Sequence, residues 1–280
     1  MALKHVFVTA FINMRDEENN SNYMQLAAKE TLRLESTLVI ICERKNYETI
    51  SQIRGDSFPT QYIFLEKEDL PIYQKYKGKY RINCTKNLAV PVWLSKPFFI
   101  NTAIKSTQFF IDENTIWTWY DFGIVKCRRI QADLKIDQRI VEHFGSKMKL
   151  CCIGYERKGY SHKLLIEEYC SVVAGGFISG KQDHWQEIEE LFESKCQETI
   201  KLGFLPYEEN ILSQKLVQDP DYFDICIVRC WTTLDIDYHC PSFNDFSLIT
   251  DLRKYGLKRL EEKYLDYIKR FSPLLHKFIS

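Results

Sequence analysis

The sequence predicts an α/β fold built on a mixed, mainly parallel sheet flanked by helices, and three observations predict it. Short apolar runs alternate with amphipathic stretches from the start of the chain, the pattern of strands joined by crossover helices. The first run, Lys4 to Asn13, is apolar almost continuously through Val6, Phe7, Val8 and Phe11, as strands covered on both faces are. A later run, Ile116 to Tyr120, ends on Asp121 with Gly123 close behind, and residues at the carboxyl ends of strands face ligands in open α/β sheets.

After the first strand comes a polar loop from Arg15 to Asn22. Ser21 then suits the cap of a helix through Leu34, with Met24, Ala27, Ala28, Thr31 and Leu34 on one face. Thr37 to Cys42 is the second strand, Asn46 to Ile53 a short helix and Gln61 to Leu65 a third strand. Lys86 to Thr107 is helical in pattern but broken at Pro91 and Pro97, with Ser95 placed to open the second piece. That piece leads to the strand ending at Asp121. Beyond Gly123, a helix is expected at Asp137 to Phe144 and strands at Lys149 to Tyr155 and Tyr169 to Ala174. The last of these runs into Gly175 and Gly176, a pair that implies close backbone approach. Their spacing to Gly180 fits neither a GxGxxG fingerprint nor a Walker loop. A helix from Gln182 to Leu202, a second after Pro206 to Val217, and a strand at Asp224 to Val228 complete the core. Residues 245–280 form a C-terminal helical extension of a single domain spanning 1–280, with Tyr255, Leu260, Tyr264 and Ile268 at helical spacing.

At 280 residues the chain is long enough to bury a substantial core. Lys plus Arg equals Asp plus Glu at 38 each, so nothing in the overall charge suggests nucleic acid or an anionic membrane as the main partner, and any phosphate must be held locally. The 10 cysteines contain no CxxC pair, which points to reduced thiols and a cytoplasmic setting. Cys226, Cys230, His239 and Cys240 match no usual zinc spacing. Val6 to Ile12 is too short for a secretory leader, and no run approaches the ~20 apolar residues of a transmembrane segment, so a soluble protein is expected.

Asp121 has two readings: cap of the following turn, or ligand-facing carboxylate. The stretches Val8-Thr9-Ala10-Phe11, Val92-Trp93-Leu94-Ser95-Lys96-Pro97-Phe98, Trp119-Tyr120-Asp121-Phe122-Gly123 and Val173-Ala174-Gly175-Gly176-Phe177 bear on the choice. In this order they resemble the HtrL/YibB-type protein family and, more distantly, glycosyltransferases of the GT-A fold. The resemblance covers most of the chain to about residue 230 and implies a GT-A-like, Rossmann-like sheet. It further implies a nucleotide-sugar donor, foremost a UDP-sugar, held with Mn²⁺ or Mg²⁺. Such enzymes place Asp-x-Asp at the end of the fourth strand. Trp119, Tyr120 and Asp121 stand there, so the last Asp alone is present and is the implied metal ligand; from the residues themselves, His239, after Asp235 and Asp237, is a candidate for a further ligand, a lone His being more often structural.

By the same resemblance, Thr9, Ala10 and Phe11 at the end of the first strand meet the donor, and Lys96 contacts its phosphates. Gly175 and Gly176 approach the sugar or the acceptor. Glu208 and Glu209, beyond Pro206, resemble the Asp-Glu pair that blood-group-type glycosyltransferases carry beside the transferred sugar, which makes Glu209, ahead of Glu208, the implied catalytic carboxylate. Read from the residues alone, Phe11 is equally a core aromatic, Lys96 a solvated lysine, and the glutamates helix-end charges that suit the macrodipole. The function expected is transfer of a sugar to an unknown glycan, protein or lipid acceptor. The alternative is a non-catalytic nucleotide- or sugar-binding protein on the same fold, and a metal-dependent hydrolase ranks behind both.

Overall fold

The computed structural model describes residues 5–14, 24, 31–80, 88–123, 147–153 and 173–228. The chain forms two compact units, one of Met1–Lys135 with Gly176–Glu208 and one of Ile136–Gly175 with Glu209–Ser280.

In the first unit, β1 (His5–Phe11), β2 (Leu38–Cys42), β3 (Thr60–Phe64), β4 (Ile116–Tyr120) and the Gly176–Gly180 part of β6 (Val173–Gly180) make a sheet in the order β3-β2-β1-β4-β6. The pairs β1–β2, β2–β3 and β1–β4 are parallel and β4–β6 is antiparallel, giving a mixed, mostly parallel, Rossmann-like arrangement. Continuous burial drives this: every residue of β2 and β4 is buried, as is all of β1 after His5. The helices are α1 (Tyr47–Arg54), α2 (Pro71–Tyr76), α3 (Val90–Leu94), α4 (Lys96–Ser106) and α5 (Gln182–Thr199).

Helix α4 packs on β1, β4 and α5. Phe99 of α4 stacks on Trp119 of β4, ring centroids 5.7 Å apart. Trp185 of α5 donates its indole N–H to the Trp117 carbonyl at 3.0 Å, and Asn101 of α4 donates to Trp185 O and Glu189 Oε2. The three tryptophans are 2% exposed or less, and each buries on the order of 150–250 Å², a gross gain of about 4–6 kcal/mol before entropy.

At the amino edge of the sheet, buried Arg54 closes the end of α1. It donates to the carbonyls of Leu32, Leu34 and Ser36 and to Thr60 Oγ1, at 2.5–2.9 Å. At the carboxyl edge, strand order reverses: β2 lies on one side of β1 and β4 on the other. This is the switch point at which α/β sheets open a ligand crevice, and the Phe11 and Phe122 rings meet there at 4.9 Å.

In the second unit, β5 (Met148–Ile153) and β7 (Phe223–Val228) pair in parallel from Met148↔Phe223 to Ile153↔Val228. Helix α6 (Glu208–Gln218) buries Ile211, Leu212 and Leu216.

Most described elements fall within a residue or two of expectation, and three points differ. The broken helix divides at Ser95, whose hydroxyl bonds back to the Pro91 carbonyl at 2.7 Å and caps nothing. The strand expected to stop at Ala174 continues to Gly180, because ladder pairing with β4, Tyr120↔Phe177 to Trp117↔Gly180, carries it through the glycines. The short helix α2, with Pro71 in its first turn and Ile72 and Tyr76 buried, was not expected. The expected helix at Asp137 to Phe144 and the extension over 245–280 lie outside the described residues, as does most of the helix from Ser21 to Leu34.

Candidate functional site

Residues 119 and 121 share a side of the chain, and the Trp119 indole N–H donates to Asp121 Oδ1 at 2.6 Å. Lys96, the first residue of α4, brings its ammonium to 3.2 Å from the same oxygen and to 2.8 Å from Glu208 Oε1. That ammonium also lies 5.7 Å from the centre of the Trp119 ring. Pro97 sets the helix start, which places a lysine in the first turn, the wrong end for the helix dipole. The lysine is nevertheless 1% exposed. A buried ammonium is retained only when paired, and the two carboxylates supply that pairing.

Glu208, as the first residue of α6, stands at the end its charge favours, and its side chain is 7% exposed against 33% for Asp121. Of the three side chains, Asp121 is the member that reaches solvent. Its backbone N–H donates to the Gly176 carbonyl at 2.9 Å, so backbone and side chain are both fixed. With Oδ1 engaged twice, Oδ2 is the oxygen left open among the described residues. The solvated-lysine reading of Lys96 and the turn-cap reading of Asp121 are therefore replaced by an ion-pair trio, buried at Lys96 and Glu208 and open to solvent at Asp121.

The other candidates separate. Thr9 is fully buried and its hydroxyl has no hydrogen-bond partner among the described residues. Ala10 and Phe11 are buried, with the Phe11 ring packed on Phe122, and Tyr120 packs edge-on against Phe7. In the second unit, Glu209 Oε1 accepts the backbone N–H of Gly175 at 2.8 Å. Both glutamates are buried, so neither is a plain helix-end charge. His239 lies outside the described residues.

One functional candidate escaped sequence reasoning. Glu43 directly follows β2 at the carboxyl edge and is 4% exposed. Its Oε2 accepts the Asn13 backbone N–H at 2.9 Å and the Asn46 amide at 3.1 Å, while Lys45 stands 3.4 Å from Oε1. The signal was there, a carboxylate ending an unbroken apolar run, the same feature that singles out Asp121.

Burial pushes the Cys42 thiol up to about 11 and the Cys196 thiol up to about 12, which keeps both protonated and poorly nucleophilic at neutral pH. Burial also pushes the His5 imidazole down to about 3. Its Nε2 sits against Thr118 Oγ1, which in turn meets Ser179 Oγ at 2.7 Å. For a divalent cation, this centre offers Asp121 Oδ2, and the described residues hold no group of three or more His, Cys, Asp or Glu. That fits an ion sharing its shell with ligand phosphates and water, since Mg²⁺-type sites commonly take one or two carboxylates plus phosphate.

Fold and site together define an α/β protein with a Rossmann-like sheet and a carboxylate–lysine centre at its carboxyl edge. No protein-family model matches the chain, and no curated protein matches it. No described helix is long and apolar enough to cross a membrane.

Proposed function

We propose that the protein is a GT-A-type glycosyltransferase that takes a sugar from a nucleotide-sugar donor, foremost a UDP-sugar, and passes it to a glycan, protein or lipid acceptor. One observation carries this reading. Asp121, partly exposed beside the switch point, is held by two buried donors, the Trp119 indole and the Lys96 ammonium. Such a carboxylate is oriented before any ligand arrives, and orientation paid in advance is what makes charged groups effective at a reacting centre.

Asp121 Oδ2 is the group that would hold Mn²⁺ or Mg²⁺. When bound, the cation supplies Lewis-acid stabilisation of the charge that gathers on the departing nucleoside diphosphate. Lys96 and Trp119 keep the carboxylate turned, and Glu208 keeps Lys96 in place. From the resemblance alone, Glu209 is proposed as the catalytic carboxylate; within the second unit its Oε1 accepts the Gly175 N–H.

A second reading, a nucleotide- or sugar-binding protein without chemistry, is favoured by Trp119 standing at the first position of the Asp-x-Asp pattern and occupying Asp121 Oδ1. Incubating the protein with UDP-sugars and Mn²⁺ and measuring released UDP separates the two. Turnover that disappears in Asp121→Asn supports the transferase. UDP-sugar binding with no release of UDP, with or without candidate acceptors, leaves the binding reading standing.

A further inference from the structure

We infer that Lys96 is a positioning residue that governs which cations Asp121 accepts: its ammonium keeps a bare divalent cation off the carboxylate, so the ion is held only together with a diphosphate-bearing ligand. The inference rests on the nucleotide-sugar reading above and states how that same site is regulated.

Lys96 is too deeply buried to meet a ligand's phosphates itself, and it acts on the centre through Asp121. A buried ion pair gives little net stability over apolar side chains of similar volume. What the pair does change is its more exposed partner. The ammonium stands 3.2 Å from Asp121 Oδ1, and the Trp119 indole N–H donates to the same oxygen at 2.6 Å. The carboxylate keeps Oδ2 as its open acceptor and has a positive charge beside it. Both features oppose a divalent cation, and neither opposes an anion.

Charge and burial set the strength of that opposition. An ammonium repels a dication about twice as strongly as a monovalent cation at the same distance. Salt screens such a pair less than a surface pair, because the lysine is out of water. Position 119 carries an indole, stacked on Phe99 at 5.7 Å, where a second carboxylate would help retain the ion. Among the described residues no group of three or more His, Cys, Asp or Glu is there to outweigh the ammonium. A diphosphate changes both conditions: its oxygens fill the shell that one carboxylate leaves incomplete, and their negative charge offsets the lysine. Glu208 tempers the effect, since its Oε1 holds the same ammonium at 2.8 Å. By linkage, whatever factor the diphosphate adds to cation affinity, the cation adds to diphosphate affinity.

The test is calorimetry with Mn²⁺ alone, UDP alone and the two together, on the wild type, on Glu208→Gln and on Lys96→Met/Glu208→Gln. The wild type is expected to bind Mn²⁺ at least about tenfold more weakly alone than with UDP present. The two variants differ only at position 96, so comparing them isolates the lysine. The double variant should bind Mn²⁺ alone about tenfold tighter than Glu208→Gln, and metal-free UDP about threefold more weakly. Shifts of opposite sign on a cation and an anion are what the loss of a charge gives, whereas a merely structural lesion weakens both. Should the double variant not fold, Lys96→Gln, which keeps an amide donor without the charge, is compared with the wild type for the same opposite shifts. Wild-type Mn²⁺ affinity that is equal with and without UDP overturns the joint uptake without any variant. Equal Mn²⁺ affinity in the variants compared, or Mn²⁺ and UDP weakened alike, overturns the role of Lys96. Absence of UDP binding in the presence of Mn²⁺ overturns the nucleotide-sugar reading itself, and the joint uptake with it.

Discussion

Two buried cations sit at opposite edges of the same sheet, and their partners differ. Arg54, at the amino edge, spends its guanidinium on three backbone carbonyls and a hydroxyl, none of which carries charge. Lys96, at the carboxyl edge, faces two carboxylates, one of them reaching solvent. Neutral acceptors satisfied by a planar fork make a staple for the chain entering β2, with nothing left to offer a ligand. An ammonium between unequal carboxylates fixes the more exposed one while that one still reaches solvent. The difference teaches that burial of a cation alone does not tell the two edges apart, whereas the charge and exposure of its partners do.

Replacing the staple should have the largest effect on stability. Arg54→Met removes four bonds to a charged donor and leaves buried carbonyls unmet, which is expected to cost about 4–6 kcal/mol in urea denaturation. Nucleotide affinity of the fraction that folds should be unchanged, and a loss of affinity there would erase the contrast between the two edges. Lys96→Met leaves Glu208 buried and unpaired, with an expected cost of about 3–5 kcal/mol. Unlike the Arg54 variant, it should also weaken UDP-sugar binding. Adding Glu208→Gln to Lys96→Met should recover part of the stability, and no recovery would mean the pair is not coupled.

Asp121→Asn keeps the Trp119 contact and should move the melting temperature little. Mn²⁺-dependent stabilisation by UDP should vanish, and turnover should fall roughly a hundredfold, about 2.7 kcal/mol at the transition state. Retained metal dependence would send Asp121 back to a structural role.

The smallest effect comes from a third basic group. His5 has its imidazole held down to about 3 by burial, against an ordinary value of 6.5. Because the unfolded chain takes up the proton first, its contribution is whole above pH 6.5 and is lost as pH falls toward 3. Stability should drop by about 2 kcal/mol between pH 7 and pH 5 from this group. Comparing denaturation of the wild type and His5→Gln at both pH values checks it; equal slopes would mean that His5 is not held neutral.

The strands were legible because burial on both faces writes a continuous apolar run, and Ile116–Tyr120 matches its expected bounds. Asp121 was legible for the complementary reason, a carboxylate where that run stops. Lys96 was named only through the resemblance, and its burial was not legible, since Glu208 lies 112 residues away and nothing local distinguishes a lysine bound for the interior. Arg54 was hidden in the same way, its charge suiting a helix end by the ordinary rule. The Gly175-Gly176 pair reads locally as a break, and only the long-range ladder with β4 turns it into strand.

The distance along the chain between Lys96 and Glu208 has a further consequence, for the order of events during synthesis and folding. Asp121 follows Lys96 closely in the chain, whereas Glu208 closes a loop of 112 residues, and closing the longer loop costs more chain entropy. The strands β1 to β4 emerge from the ribosome before β6 and α5 exist. Over that interval the Lys96–Asp121 contact can form, whereas the Lys96–Glu208 contact cannot. The Lys96–Glu208 pair is thus completed late, and the half-built centre is the species that a nascent chain must keep soluble until Glu208 comes.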